Sequence, residues 1–470
     1  MNKAIPNMST VAALAFAEQS AQVEARRSDF GLAARRDALA QLATAVRKNE
    51  TELIAAMAAD FGKPEAEVIL MEILPVMQEI RHASRHLRRW MRPRRAAPTL
   101  AAIGTSARIR PEARGVCLII APWNLPFSLA IGPLISALAA GNSAIIKPSE
   151  MTPATSAVIA RLVKETFPPS LVTVIEGGVD ASQALLALPF DHIFFTGSPA
   201  VGKIVMAAAA KTLASVTLEL GGKSPVVVGA DADLKIAAKW IAFGKFTNGG
   251  QTCIAPDHVF VHSAVKAKFL VALRDRIAQS YAQGSTSPYL AQIVNDQHAK
   301  RLSGLMKDAV NKGAYLTLDG PTKGRHMGPT LIEAMNPEME IDSAEIFGPI
   351  LPIITYDDIN SVTGQINARP KPLALYIFDK SRDQIDKIIA ATSSGSVGVN
   401  LTMAQFMHTG LPFGGVNTSG IGAAHGYYGF KAFSHERAIL SNHYSVLPLI
   451  FPPYTGRVMR LIKLFKRILG

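Results

Sequence analysis

The sequence predicts an α/β protein built on doubly wound parallel sheets, and three observations carry that prediction. Between residues 116 and 228 short β-rich runs alternate with stretches of helical spacing, the pattern left by a parallel sheet with crossover helices. A second series of the same kind starts at "ADLKIAAKWIAFGKF" and includes "DHVFVH", "ALYIF" and "GSVGVN". The chain of 470 residues is also long enough for two or three domains with sizeable cores.

The elements follow in order. The first ninety residues are rich in Ala, Leu, Arg and Glu at helical spacing and predict several amphipathic helices. "RPRRAAPTLAAIGTSARIRPEARG" breaks that pattern, and its "SARIRPEA" part alternates like an exposed strand. Strands are then expected at "VCLIIAP", "SAIIKP", "VTVIEG", "HIFFTG", "VTLEL" and "PVVVG", with helices near 128–140, 153–166, 181–187 and 200–210. From Gly115 to Lys147 the only ionisable side chain before the lysine is the thiol of Cys117. Pro122, Asn124, Pro126, Pro133 and Asn142 punctuate this stretch, so it reads as strand, loop, buried helix and strand rather than as a membrane span.

Composition excludes some classes of function. Only two cysteines, Cys117 and Cys253, leave no disulfide framework and no thiolate cluster for zinc, so no metal site is expected. A reducing cytoplasm fits that usage, and the N-terminal stretch does not read as a signal peptide. The net charge of +13 is concentrated in residues 81–95, with seven arginines, and in the tail from 456, with five basic residues. The rest is nearly neutral, which argues against nucleic acid as a partner. In the tail Val458, Leu461, Ile462, Phe465 and Leu469 interleave with Arg460, Lys463, Lys466 and Arg467. That basic amphipathic pattern suits an anionic membrane surface, or packing on a partner subunit or over the substrate entrance.

Several short stretches carry chemistry. "FTNGGQTCIAP" sets Cys253 behind Gly249 and Gly250, either as an ordinary buried core cysteine or as a nucleophile exposed on a turn; with the resemblance drawn below, the two glycines would let the backbone approach a cofactor. In "LELGGKSP", Glu219 sits between Leu218 and Leu220, where desolvation raises a carboxyl pKa and suits it to general-base work; a solvated edge strand is the alternative. "APWNLP" offers Trp123 and the Asn124 amide, a donor to a developing oxyanion or an ordinary turn residue. Gly197, Ser198 and Gly202 mark a strand-to-helix turn whose amides can approach a pyrophosphate. "IIKPSE" puts Lys147, Ser149 and Glu150 just past a strand end, where ribose hydroxyls can be held, and "EIFGPILP" offers Glu345 and Phe347.

In order along the chain, "PWN", "KPSE", "FTGS", "LELGGKSP", "GQTCIAP", "EIFGP" and "LPFGG" resemble the aldehyde dehydrogenase superfamily. "EILPVMQEIRHASRHLRRWMRPRR", "HGYYGFKAFSH" and "ARPKPLALYIF" are similar to its class-3-like branch, and within it to coniferyl aldehyde dehydrogenases. The resemblance implies that Cys253 adds to an aldehyde carbon, that the Asn124 amide and the Cys253 N–H hold the oxyanion, and that Glu219 activates the water that hydrolyses a thioester. It assigns the cofactor to Trp123, Lys147, Ser149, Glu150, Gly197, Ser198, Gly202, Glu345 and Phe347. Glu150 favours NAD by repelling a 2′-phosphate, with NADP possible. The substrate is an aldehyde, aromatic or aliphatic; a CoA-acylating semialdehyde dehydrogenase is the alternative, disfavoured by retention of Glu219.

The fold implied is a Rossmann-like cofactor domain (1–96 and 113–220), an α/β catalytic domain (221–407) and a small β bridging element (97–112 and 408–445) that joins a homodimer, followed by the tail (446–470). The chain departs from the family at Asn417, Thr418 and Leu401, all expected near the substrate mouth, and asparagine tolerates positive φ well enough for the turn at 417 to survive.

Overall fold

The computed structural model describes residues 7–469; residues 1–6 of the N-terminal stretch and Gly470 of the tail lie outside the described residues. The expected strands form two large sheets. In the first, of six strands, the spatial order is Gly420–Ile421, Ser215–Leu220, His192–Gly197, Val116–Ile120, Ser143–Lys147 and Val172–Val174. All pairs are parallel except the first, where Gly420 lies opposite Glu219. The strands alternate which face they present, as a period of two requires. Cys117 and Ile119 join a core with the N-terminal helices and the helix Ser128–Ala140, whereas Val116, Leu118 and Ile120 pack with Ala12, Phe190 and Val205 on the other face.

Strand order reverses between Val116–Ile120 and His192–Gly197, because the chain winds outward from the former and returns beside it. Such a switch point opens a crevice at the carboxyl ends of the strands. The loop carrying Trp123 and Asn124 follows one of these strands, and Ser198 follows the other. The helix after Ser198 runs Pro199–Thr212, with Ser198 as its cap and Pro199 in the first turn.

The second sheet has seven strands in the order Tyr315–Leu318, Thr330–Glu333, Ile350–Tyr356, His258–His262, Pro225–Val228, Ala374–Phe378 and Ser396–Val399, parallel but for the first. The short link from Leu220 to Pro225 joins the carboxyl edge of the first sheet to the amino edge of the second. Cys253 precedes His258–His262 and Glu345 precedes Ile350–Tyr356, so both approach that junction from the second sheet.

A separate three-stranded antiparallel sheet joins Arg94–Arg95, Thr105–Ala113 and Ser434–Asn442, the last two paired over nine positions. Within 408–445 only Ser434–Asn442 joins this sheet. Gly420–Ile421 extends the first large sheet, and the helix Gly426–Ala432 packs on Leu74–Trp90 and Ser128–Ala140, because Phe430 and Phe433 are buried in that core. The tail forms the helix Gly456–Leu469, which rests against residues 447–450 and leaves Met459, Leu464 and Ile468 exposed. Among the described residues, no helix is long and apolar enough to cross a membrane.

Candidate active site

The turn before Cys253 is built by backbone conformation. After the helix Leu234–Phe246, Asn248, Gly249 and Gly250 take φ values of 57°, 62° and 75° in succession. A Cβ on Gly249 would stand 2.9 Å from the Ala291 carbonyl oxygen, and one on Gly250 only 2.4 Å from that of Gly348. The glycines therefore let the turn seat against other protein backbone, and not against a cofactor as expected from the sequence. Gln251 locks the turn: its amide donates to the carbonyls of Asn248 (2.9 Å) and Gln292 (3.0 Å) and accepts from the Val294 N–H (2.9 Å). The Tyr376 hydroxyl donates to the Ile254 carbonyl at 2.6 Å and fixes the other side. Cys253 is left half-buried between them.

Asn124 is buried and donates to the Gln251 carbonyl at 3.1 Å, while its own backbone carbonyl accepts from the Asn248 side chain at 2.9 Å. Among the described residues, its second side-chain N–H makes no hydrogen bond. Glu219 is 5% exposed, and neither carboxyl oxygen has a hydrogen-bond partner. Its strand is covered on both sides, by His192–Gly197 and Gly420–Ile421, so the solvated-edge alternative does not hold. Burial raises the Glu219 pKa well above the carboxylate range. Burial, with the charges of Glu345 and Glu219, pushes the Cys253 thiol up to about 12. A thiol and an unpartnered carboxyl thus stand together, with burial disfavouring charge on both and the carboxyl disfavouring it further on the thiol.

Two cavities meet at this pair. One is a cleft bounded by Trp123, Asn124, Gly197, Ser198, Glu345 and Phe347, with Cys253 and Glu219 at its end. The Trp123 and Phe347 rings lie edge to face at 5.3 Å, and His298 backs Trp123 at 5.1 Å. Phe347 holds a φ of 51°, a strained value for a bulky residue. Glu345 accepts from the Gly222 N–H at 3.1 Å, and burial together with the Asp257 charge raises it to about 7. Its loop is pinned by Lys223, whose ammonium reaches Asp257 (2.6 Å) and the carbonyls of Ile341 (2.9 Å) and Ala344 (2.7 Å). Arg301 donates to the Glu345 carbonyl at 3.1 Å.

This cleft fits a nicotinamide dinucleotide. It runs to the amino end of the helix capped by Ser198, it has aromatic walls, and the buried Thr196 hydroxyl inside it has no partner.

Other predicted residues stand apart from the cleft. Lys147 donates to the Pro148 carbonyl (2.8 Å) and to Glu150 (3.0 Å), and the Ser149 hydroxyl accepts from the Met151 N–H at 3.2 Å. These three lie at the end of the neighbouring strand. Gly202 is inside its helix, and a Cβ there would meet Leu220 at 2.7 Å, so its missing side chain lets helix and strand pack closely.

The second cavity, about 790 Å³ of atom-free space including its opening to solvent, lies on the other side of Cys253 and Glu219. Leu129, Pro133, Leu373, Phe406 and Phe413 make it largely apolar; beyond Cys253 and Glu219, its polar side chains are Glu79, His425 and the hydroxyls of Ser128, Ser136, Thr196 and Thr409. Asn417, at φ 55°, keeps the turn anticipated for it, but neither it nor Thr418 nor Leu401 lines this cavity. Met407 and Thr409 form the mouth instead, shared with a surface hollow bounded by Arg81, His82, Arg85 and His86.

Sequence reasoning misses a buried set beneath the site. Glu67 accepts from the Asn248 N–H at 2.8 Å; Glu72 accepts from the Ser128 N–H at 2.8 Å and pairs with Lys63 at 2.6 Å, both side chains fully buried. These look like surface charges on amphipathic helices, and nothing in their spacing marks them. His298 and Arg301 carry no signal either. Lys223 lies inside the Glu219 motif and Asp257 just past the Cys253 motif, but neither shows in sequence the partner that reveals its role.

A model of the aldehyde dehydrogenase family matches residues 4–439. The putative aldehyde dehydrogenase AldX of Bacillus subtilis is 44% identical over 410 residues, 86% of this chain and 92% of that one. A probable coniferyl aldehyde dehydrogenase of Pseudomonas aeruginosa is 41% identical over 424 residues, 89% of each chain. The structure of Staphylococcus aureus AldH in a substrate-bound state superposes with a TM-score of 0.92 at 39% identity, covering 96% of this chain and 99% of that one. With these likenesses spanning both large sheets and the site between them, the chain belongs to the aldehyde dehydrogenase family and is an enzyme that oxidises aldehydes with a nicotinamide dinucleotide.

Proposed function

We propose that Cys253 is the nucleophile and Glu219 the general base of this oxidation. The supporting observation is that these two side chains border both cavities, one on each side of the reacting centre. An aldehyde in the apolar cavity presents its carbon to the sulfur; a C–S bond forms as the carbonyl π pair moves onto oxygen and the thiol proton passes to water, which leaves the Glu219 carboxyl free for the later step. The carbonyl oxygen takes up the negative charge, and the free N–H of Asn124 with the Cys253 N–H stabilises it. When bound in the cleft, the dinucleotide supplies the hydride acceptor. Glu219 then removes a proton from water, which attacks the thioester carbon; the C–S bond breaks and the carboxylic acid leaves. Cys253→Ala should abolish NADH formation with every aldehyde, and full activity in that variant would end this reading. Retention of Glu219 favours hydrolysis over transfer to CoA, and product analysis with and without CoA separates the two.

For the cofactor we infer that Trp123, Phe347 and Glu345 hold the nicotinamide half, Gly197 and Ser198 the pyrophosphate, and Lys147, Ser149 and Glu150 the adenine ribose, with Gly202 keeping the helix close. The Glu150 carboxylate, 43% exposed, favours NAD over NADP. In the domain division given by the resemblance, Glu345 and Phe347 belong to the catalytic domain (221–407) and the other cofactor residues to the cofactor domain, so the dinucleotide would lie between the two. The free edge of Ser434–Asn442 supports a homodimer joined through the small sheet. The exposed Met459, Leu464 and Ile468, together with the exposed basic residues Arg460, Lys463, Lys466 and Arg467, support contact of a cytoplasmic enzyme with an anionic membrane surface.

A further inference from the structure

We propose that Glu79 and His425 form a subsite for a hydroxyl group on the substrate, remote from its aldehyde, so that hydroxylated aldehydes are preferred over equally large apolar ones. The inference rests on Cys253 as the nucleophile, since it takes the cavity beyond the sulfur as the aldehyde's berth.

Glu79 lies on the helix Leu74–Trp90 and is 7% exposed. One carboxyl oxygen accepts from the Gly426 N–H, which anchors the side chain. The other is buried with no hydrogen-bond partner, in a residue that lines the cavity. Leaving a buried carboxyl oxygen unmatched is costly, and a ligand donor in the cavity would relieve that cost. His425 immediately precedes Gly426, at φ 69°, with its ring held between Phe406 (4.7 Å) and Phe413 (5.3 Å). Those rings fix the imidazole in the cavity wall, and among the described residues it makes no hydrogen bond. Burial lowers its pKa to about 4, so it is neutral and offers one donor and one acceptor nitrogen. The other polar side chains of the lining, beyond Cys253 and Glu219, are the hydroxyls of Ser128, Ser136, Thr196 and Thr409, so Glu79 is the carboxyl acceptor and His425 the nitrogen partner that this wall offers a polar substrate atom. A hydroxyl satisfies both, donating to Glu79 and accepting from, or donating to, the imidazole. A methyl group at the same place leaves both unmatched.

The test compares kcat/KM for 4-hydroxycinnamaldehyde and 4-methylcinnamaldehyde, read as a ratio within each enzyme. The wild type should favour the hydroxyl compound by about tenfold, the worth of one hydrogen bond to an otherwise unmatched buried polar group. Glu79→Gln, which keeps an acceptor for Gly426, and His425→Phe should each bring the ratio towards one. General loss of activity cancels in a ratio, and Cys253→Ala separately tests the underlying chemistry. A wild-type ratio near one, or a ratio that persists in both variants, overturns the subsite while leaving the dehydrogenase reading intact.

Discussion

The backbone N–H of Asn248 donates to the Glu67 carboxylate at 2.8 Å across 181 residues of sequence, tying the N-terminal helices to the turn that presents Cys253. Burial raises the Glu67 pKa to about 7, against the opposing pull of Lys63 and of this hydrogen bond. A carboxyl raised in the folded state binds more protons there than in the unfolded chain. Its ionisation therefore costs stability as pH rises from about 4.5 to about 7, by at most about 3 kcal/mol and less where solvent reaches the group. Glu67→Gln cannot ionise but keeps an acceptor for Asn248. The fall in Tm between pH 5 and pH 8 should be smaller in this variant, and an equal fall would show that Glu67 does not set it.

Glu219 tests the second half of the reaction. With Glu219→Gln, acylation of Cys253 should still release NADH once per site, after which turnover drops by about 10²–10⁴-fold, the usual worth of a positioned base. Rapid mixing would then show a burst and an acylated enzyme by mass. Steady-state turnover equal to that of the wild type would show that the carboxyl is not the base.

The turn at Gly250 makes a strict steric demand at the site. Gly250→Ala combines positive φ with a Cβ only 2.4 Å from the Gly348 carbonyl oxygen, and should cost about 2–4 kcal/mol together with most activity. Gly364→Ala is the control: Gly364 sits in the helix Ile359–Ala368 with open space around it, and alanine there should stabilise by about 0.5–1 kcal/mol. Comparable Tm values for the two variants would contradict the steric role of Gly250.

The tail helix is separable. Co-sedimentation with vesicles containing anionic lipid should retain the full chain, more weakly as salt increases, and should lose a chain that ends before Gly456. Equal retention of the two would assign the helix to packing instead.

Much of the architecture is legible in the sequence alone. The βα alternation, the strand boundaries and the strand-to-helix turn at Ser198 rest on local spacing and local propensity, which each segment carries by itself. Cys253, Glu219 and Asn124 are likewise marked locally, by glycine or proline near a reactive group. What spacing does not supply is the company each residue keeps. Gly249 and Gly250 read as openings towards a cofactor but pack on Ala291 and Gly348. Glu67 and Glu72 read as solvated helix charges but are hydrogen-bonded beneath the site. Glu79 and His425, 346 positions apart by their numbers, meet in one cavity wall. A residue's type and its neighbours in sequence set what it can do chemically; only the folded chain sets its desolvation and its partners. For Glu219 the sequence supplies a carboxyl between two leucines, and the tertiary structure supplies the covered strand and the absence of any hydrogen-bond partner, which together make that carboxyl hard to ionise.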